Sequence, residues 1–126
     1  MTRAFLLALF LTLAATGLLA QEANPYNGTW VGTYETKKGE QRSVVLNLSG
    51  GGGTWKNHVR IKNHPCVGQE LPVTIARATA TQLTIRINGS KFMQGCEDFG
   101  VRFSRTGDNA IEGKLRKMGN LTLVRQ

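Results

Sequence analysis

Residues 43–62 read SVVLNLSGGGGTWKNHVRIK, and this stretch decides the fold. Apolar side chains recur at every second position on both sides of the glycine run: Val44, Leu46 and Leu48, then Trp55, Val59 and Ile61. A period of two is typical of a half-buried β-strand, and glycine tolerates the positive φ angles of tight turns. The stretch therefore predicts two antiparallel strands, over 43–49 and 54–62, joined as a hairpin.

Six further segments alternate in the same way. Their inward-facing apolar members are Trp30 and Tyr34; Leu71, Val73 and Ile75; Leu83, Ile85 and Ile87; Val101 and Phe103; Ile111 and Leu115; and Leu121 and Leu123. Most connections between the segments are short enough only for antiparallel neighbours. We therefore predict an all-β fold, a small antiparallel up-and-down β-barrel of about eight short strands, because closure removes exposed sheet edges.

The predicted inward positions carry mostly Val, Leu, Ile and Trp, with few polar interruptions such as Asn57. An eight-stranded barrel is narrow enough to be filled by its own side chains or to hold one small ligand. Bulky residues at most inward positions favour the filled interior over a pocket for a sizeable ligand.

The first twenty residues have a pattern of their own. Arg3 is followed by an uncharged run, rich in Leu and Ala, that extends to Ala20, as in a secretory signal peptide. We predict a signal peptide over 1–20, with a cut after Ala23 as the alternative, and a single β-barrel domain over 21–126. Since the run is short for a membrane span, we expect no transmembrane segment after cleavage. The mature protein is then exported, to the periplasm or the extracellular space.

Cys66 and Cys96 both survive this cleavage. Paired cysteines in a small exported domain indicate a disulfide, because exported compartments are oxidising and small cores need reinforcement. In an eight-stranded meander, the two connections that contain these cysteines leave the barrel at the same end. We therefore predict an intramolecular Cys66–Cys96 disulfide. A metal or redox site at Cys66 and His64 is disfavoured, since neither a Cys-x-x-Cys nor a paired histidine accompanies them.

The chain is strongly basic, with 16 Lys and Arg against 8 Asp and Glu and a net charge of +8. Seven cations on or beside predicted outward positions are candidate polyanion contacts: Lys56, Arg60, Lys62, Arg86, Arg102, Lys114 and Arg116. We expect such a surface to attract anionic envelope components or other polyanions, and the alternative is that the charge serves solubility alone. Sequence-specific nucleic-acid recognition is not expected, because the aromatic residues fall mostly on the inward face.

Catalytic chemistry has little support in the sequence. The two histidines stand without a recognisable nucleophile–base pair, and no strong metal-ligand spacing occurs. We expect no catalytic residues, no metal and no cofactor. The leading hypothesis is an exported, non-catalytic binding or interaction module whose ligand the sequence does not identify. The alternative is an enzyme whose site lies in the disulfide-bearing loops, around 63–68 and 89–99.

The two ends of the barrel sequence carry a family resemblance. Asn27-Gly28-Thr29-Trp30 opens the first strand and Arg125 lies near the end of the last, which resembles the calycin pattern of lipocalins and avidins. In those families a Gly-x-Trp meets an Arg from the closing strand across one end of the barrel. The resemblance implies that Gly28, Trp30 and Arg125 close the barrel, with a cation–π contact between the last two. It implies a fold and no particular ligand.

Overall fold

A computed structural model of the chain describes residues 24–58, 64–116 and 119–126. They form eight strands and one short helix: β1 (Gly28–Glu35), β2 (Gln41–Ser49), β3 (Gly52–His58), β4 (Leu71–Ala78), β5 (Gln82–Asn88), α1 (Gly89–Phe92), β6 (Asp98–Gly107), β7 (Ala110–Leu115) and β8 (Gly119–Arg125). The strands pair antiparallel in chain order, and β8 pairs with β1. The predicted eight-stranded antiparallel barrel is therefore confirmed. The predicted signal peptide, over 1–20, lies outside the described residues.

Strand β2 illustrates how the sequence builds this barrel. Val44, Leu46 and Leu48 are buried, whereas the residues between them are only half-buried. The chain turns back at Gly50, whose φ of 64° lies in the left-handed region that glycine adopts without strain. Inward residues of all eight strands, together with Tyr26, form one core: Tyr26, Trp30, Tyr34, Val44, Leu46, Leu48, Trp55, Leu71, Val73, Leu83, Ile85, Ile87, Val101, Phe103, Ile111, Leu115, Leu121 and Leu123.

One end of the barrel, which we call the closed end, carries residues 24–27 and the turns at 50–51, 79–81 and 108–109. Trp30 is fully buried there, and the Arg125 guanidinium lies over its ring at 4.5 Å from the centroid. The indole N–H of Trp30 donates to the carbonyl oxygen of Tyr26 at 2.8 Å. The Tyr26 ring is in turn covered by Arg105, at 5.8 Å. Aromatic rings and guanidinium groups thus close this end in layers.

The opposite end, which we call the disulfide end, carries the other four connections. Cys66, between β3 and β4, is bonded to Cys96, between β5 and β6, and their Cα atoms are 5.6 Å apart. The predicted disulfide is confirmed. The β5–β6 connection also contains α1, which the sequence did not predict because one helical turn is too short to show a helical period. No helix in the described ranges is long and apolar enough to cross a membrane.

Two strands begin earlier than predicted. β3 begins at Gly52, two residues early, because Gly52 and Gly53 continue the pairing opposite Ser49 and Leu48. β2 begins at Gln41, two residues early, because Gln41 and Arg42 extend the pairing opposite Glu35 and Tyr34. The described part of β3 ends at His58, and the predicted strand residues 59–62 lie outside the described residues. The early start of β2 matters for function, since it adds Arg42 to the inward row of that strand.

Candidate functional site

The disulfide end opens into a cavity of about 360 Å³. Five strand residues, Tyr34, Arg42, Asn57, Leu71 and Phe99, and residues within 64–69 and 95–97 line it. Side chains fill the middle of the barrel, whereas this end holds the cavity. Here the inward rows of the first three strands end in the polar residues Tyr34, Arg42 and Asn57.

Three of the lining side chains are polar and lie on the inward rows of adjacent strands. Tyr34 of β1 is directly opposite Arg42 of β2. Asn57 of β3 is opposite Val44, which lies two residues further along β2 from Arg42 and faces the same way. Residues opposite each other on one face of antiparallel strands have Cβ atoms about 4.5–5.5 Å apart. The three polar groups therefore converge on one side of the cavity.

These side chains leave buried polar atoms without hydrogen-bond partners among the described residues: Tyr34 Oη, Arg42 Nε and Asn57 Oδ1. The indole N–H of Trp55 is in the same situation. Trp55 adjoins the cavity, because its ring packs edge-on against Phe99 at 5.9 Å between centroids. An unsatisfied buried polar group costs about 1–3 kcal/mol, and clusters of such groups are normally satisfied by water or a ligand. The cavity wall thus presents buried polar groups that could bond to a polar molecule.

The charges on the cavity wall are arranged on opposite sides. Arg42 Nη2 lies 3.6 Å from Glu40 Oε2, but the Glu40 side chain is 63% exposed, so this ion pair is screened by solvent and worth about 0–1 kcal/mol. Glu97 directly precedes β6, which stands across the closed barrel from β2. His64 accepts a hydrogen bond at Nδ1 from the Cys66 N–H at 3.3 Å. The cationic residue of the wall is thus on β2, and the acidic one, Glu97, is exposed at the start of β6.

Apolar groups form another part of the wall, beside the polar side chain of Gln69. Leu71, which is 7% exposed, begins β4, and Phe99 lies near the start of β6. Val67 and the Cys66–Cys96 disulfide contribute from the two joined connections. Small-molecule sites combine apolar side chains with a few placed polar groups, and this cavity contains both kinds, with more polar side chains than is usual.

The three residues predicted to close the barrel lie at the closed end, away from this cavity. Gly28 has a φ of 130°, which side-chain-bearing residues rarely adopt, and a Cβ there would stand 3.3 Å from Arg125 Cδ. Without that Cβ, the Arg125 side chain crosses β1 and donates to the carbonyl oxygens of Asn27 and Asp108, at 3.0 and 2.8 Å. These hydrogen bonds hold the guanidinium over Trp30.

Four of the predicted polyanion contacts lie close together on the outside of the barrel, towards the disulfide end. We call them the basic face: Arg86 on β5, Arg102 on β6, Lys114 on β7 and Arg116 directly after β7. All four are exposed. Because Phe103 is opposite Gly113, Arg102 and Lys114 are the next residues to face each other across β6 and β7. The fold thus brings together cations that are 30 residues apart in the chain.

The other predicted contacts are not part of the basic face. Lys56 is half-buried on β3 and separated from β5 by β4. Arg60 and Lys62 lie outside the described residues. Glu112 is exposed on β7, two residues from Lys114, and is the acidic neighbour of the basic face.

The titratable groups near the disulfide have structural partners. The Asp98 carboxylate accepts hydrogen bonds from the backbone N–H and the hydroxyl of Ser90, at 2.9 and 2.8 Å. These bonds, aided by the charges of Arg86 and Lys91, hold the pKa of Asp98 below its usual range. Within 24–58, 64–116 and 119–126, no three His, Cys, Asp or Glu side chains come together to hold a metal ion.

Sequence reasoning placed Tyr34 and Asn57 on inward faces but missed Arg42 and the cavity. The missing signal is the alternation of β2, which, continued by one step beyond Val44, puts Arg42 on the apolar face. A charged residue at such a position, beside inward polar residues at the same end of both neighbouring strands, indicates a polar site in the barrel mouth.

Comparison of the chain with protein-family models, curated protein sequences and solved structures found no match.

Proposed function

We propose that this protein is an exported, non-catalytic binding module that takes a small molecule into the cavity at its disulfide end. The observation that carries the proposal is the convergence of Tyr34, Arg42 and Asn57, each with a buried polar atom lacking a partner in the described residues. The cavity volume of about 360 Å³ is at the lower end of the 300–1,000 Å³ typical of ligand sites. A ligand would supply the missing hydrogen bonds.

Export and a calycin-like character are parts of the same proposal. Export is supported by the signal-like pattern of residues 1–20 and by a disulfide, which persists in oxidising compartments. The calycin-like assignment is supported by the Arg125–Trp30 contact next to Gly28. In this interpretation the closed end stabilises the barrel and the disulfide end binds.

The alternative of an enzyme in the disulfide-bearing loops concerns the same cavity, since His64 and Glu97 line it. Both cysteines are bonded to each other, and the described lining contains no serine or threonine. Nucleophilic catalysis then lacks its usual nucleophile. Turnover of a chromogenic ester that disappears in His64→Ala but persists in His58→Ala, the matched histidine variant, would favour the enzyme.

The two tryptophans give a direct test of ligand binding, because the ring of Trp55 packs against Phe99 of the cavity wall whereas the ring of Trp30 packs against Arg125 at the closed end. We expect that a library of small polar organic molecules contains compounds that shift the NMR signal of the Trp55 indole N–H. The Trp30 indole N–H, bonded to Tyr26 at the closed end, should stay unchanged. A library in which no compound moves the Trp55 signal contradicts the proposal.

Two valine variants locate the site. Val67→Trp places a large side chain at the cavity wall and should abolish the response of Trp55. Val124→Trp is the matched control, because Val124 is 50% exposed on β8. Native mass spectrometry of protein purified from an exporting host should show a co-purified small molecule in the parent protein and in Val124→Trp, and none in Val67→Trp.

A second candidate function, association with polyanions, is supported by the juxtaposition of four exposed cations in the basic face. We expect affinity for heparin to fall steeply as salt rises from roughly 50 to 200 mM, because binding releases counterions. Arg102→Glu with Lys114→Glu should weaken retention on a heparin column more than Lys37→Glu with Lys38→Glu, which makes the same charge change on the exposed β1–β2 connection. Equal losses of heparin retention in the two double variants would show that the basic face contributes no more than general surface charge.

A further inference from the structure

We propose that the ligand of the cavity is a small organic monocarboxylate with an apolar body, bound through its carboxylate by Arg42 and Tyr34. This inference rests on the proposed binding function and gives the cavity a ligand class. Three features of the cavity support it: the donors on the β1 and β2 side, the acidic Glu97 on the β6 side, and the apolar surface of Leu71 and Phe99.

Arg42 is the group that selects an anion. Its side chain faces inward and is only 20% exposed, and its Nε is buried without a partner among the described residues. A guanidinium presents several donors in a planar fork that matches the two oxygens of a carboxylate. The contact with Glu40 uses Nη2 alone and lies at the solvent-exposed rim. The inward edge of the fork, which includes Nε, is therefore free to bind a carboxylate from inside the cavity.

Tyr34 supplies a second donor to the same point. It is directly opposite Arg42 across β1 and β2, and it is 97% buried, with 3% of its surface exposed. Its hydroxyl has no partner in the described residues. A phenol hydroxyl buried next to a guanidinium donates readily to an anionic oxygen, since hydrogen bonds to charged acceptors are the stronger ones. Arg42 and Tyr34 together therefore form a carboxylate site.

The opposite wall favours a ligand with one negative charge. Glu97 lines the cavity from the side of β6, across the barrel from Arg42, and although it is exposed and partly screened by solvent, it would disfavour a second carboxylate or a phosphate chain. Leu71 on β4 and Phe99 on β6 together form an apolar surface of the cavity. The ligand is therefore amphipathic, with its acid group towards β2 and its carbon skeleton against β4 and β6.

Asn57 adds a requirement for the group next to the carboxylate of the ligand. Its buried Oδ1 is an acceptor without a partner among the described residues, and Asn57 is the polar neighbour of Arg42 on β3. An acceptor there is satisfied by a hydroxyl or an amide N–H close to the carboxylate. Hydroxy acids and acylated amino acids have this arrangement, because their two carboxylate oxygens lie beside a hydroxyl or an amide N–H.

The test compares 2-hydroxy-4-methylpentanoate with its neutral primary amide and with the dianion succinate, using the disulfide-bonded protein. The Trp55 indole signal and calorimetry report binding. We expect the monocarboxylate to bind about 10- to 100-fold more tightly than the amide, because the neutral amide cannot form the charge-assisted hydrogen bond that the carboxylate forms. Succinate should bind at least tenfold more weakly than the monocarboxylate. An amide or a succinate that binds as well as the monocarboxylate overturns the proposal.

Variants assign the preference to residues. Arg42→Met should remove the preference for acid over amide, whereas Arg102→Met, the same substitution on the outer face, should retain it. Tyr34→Phe removes only the hydroxyl and should weaken the binding of the acid about tenfold. This variant still tests the site if Arg42→Met does not fold. Retention of the full preference in folded Arg42→Met, or of the full affinity for the acid in Tyr34→Phe, overturns the carboxylate site.

The outcomes separate the two proposals. Library compounds that shift Trp55 while no carboxylate does so would overturn the ligand class and leave the binding function in place. A complete lack of response from Trp55 would overturn both.

Discussion

The two tryptophans are similar in burial but differ in the polar contacts of their indole N–H groups. Trp30 donates to Tyr26, whereas Trp55 has no acceptor among the described residues. Trp30 also supports the guanidinium of Arg125, which joins the first strand to the last. The difference between the two residues is therefore one of contacts rather than of buried area.

We expect Trp30→Ala to lower the free energy of unfolding more than Trp55→Ala. Each substitution removes burial worth about 3–5 kcal/mol, but only Trp30→Ala also breaks a hydrogen bond and the contact with Arg125. Trp55→Ala removes an unsatisfied donor, which offsets part of its cost. Urea titrations with equal slopes measure the difference, and a larger loss at Trp55 would contradict the role of the closed end in stability.

Tyr26 makes stability depend on pH in the alkaline range. Burial raises the pKa of Tyr26 above its usual 10.0, an effect that the charge of Arg105 partly offsets. As pH rises through 10.0, the unfolded chain therefore releases the phenol proton while the folded barrel retains it. This contribution to stability is complete below the unfolded pKa and is lost as pH rises towards the folded value.

Tyr26→Phe should reduce this alkaline loss. At neutral pH it should lower stability by about 1 kcal/mol, because the hydroxyl donates to the Thr79 carbonyl oxygen at 2.7 Å. Tyr34→Phe is the matched control, since its hydroxyl has no partner in the described chain. Urea midpoints compared between pH 7 and about pH 10.5 give the result. Identical pH dependence in the parent protein and Tyr26→Phe would show that Tyr26 titrates normally.

At the scale of elements, the disulfide connects the two loops that cover the cavity. Its two cysteines lie between different strand pairs, so the bond closes a segment with a sequence separation of 30. Replacement of both cysteines by serine should lower the free energy of unfolding by about 3–4 kcal/mol in the loop-entropy model. Urea unfolding measures this loss. Two thiols that alkylate freely in protein from an oxidising compartment, seen by intact mass, would contradict the bond itself.

The strands were predictable because each has one buried face, and apolar residues therefore occur at every second position of its sequence. α1 was not, because its four residues contain no repeat, and it is held instead by the bonds between Ser90 and Asp98. The start of β2 was missed for another reason. Gln41 and Arg42 are polar, and only pairing with β1 extends the strand through them.

For the whole molecule, closure of the sheet joins both ends of the barrel in one hydrogen-bonded structure. We expect a single cooperative unfolding transition, since each strand is paired on both sides. Trp30→Phe and Trp55→Phe each leave one tryptophan, which packs against Phe99 near the cavity in the first variant and against Arg125 at the closed end in the second. In both variants, fluorescence and far-UV circular dichroism should give the same urea midpoint. A fluorescence transition at lower urea in Trp30→Phe, whose remaining reporter is Trp55, would show that the disulfide end opens on its own.

The closed topology could be predicted because short connections leave few alternatives to a meander. The cavity could not, because it depends on how side chains and two long loops fill space at one end. Arg125 and Trp30 illustrate the contrast. Their meeting follows from strand order and alternation, whereas the free inward edge of Arg42 depends on the position of Glu40 at the rim.

Both ends of the described chain lie at the closed end. The Asn24 amide donates to the Gly50 carbonyl oxygen at 3.0 Å, and the Gln126 N–H donates to the Thr29 carbonyl oxygen at 2.9 Å. A protein immobilised through a tag after Gln126 would therefore present its opening to the solution and its plugged side to the support. Attachment through that terminus would leave the cavity accessible to molecules in solution, and attachment through a residue of the disulfide end would not.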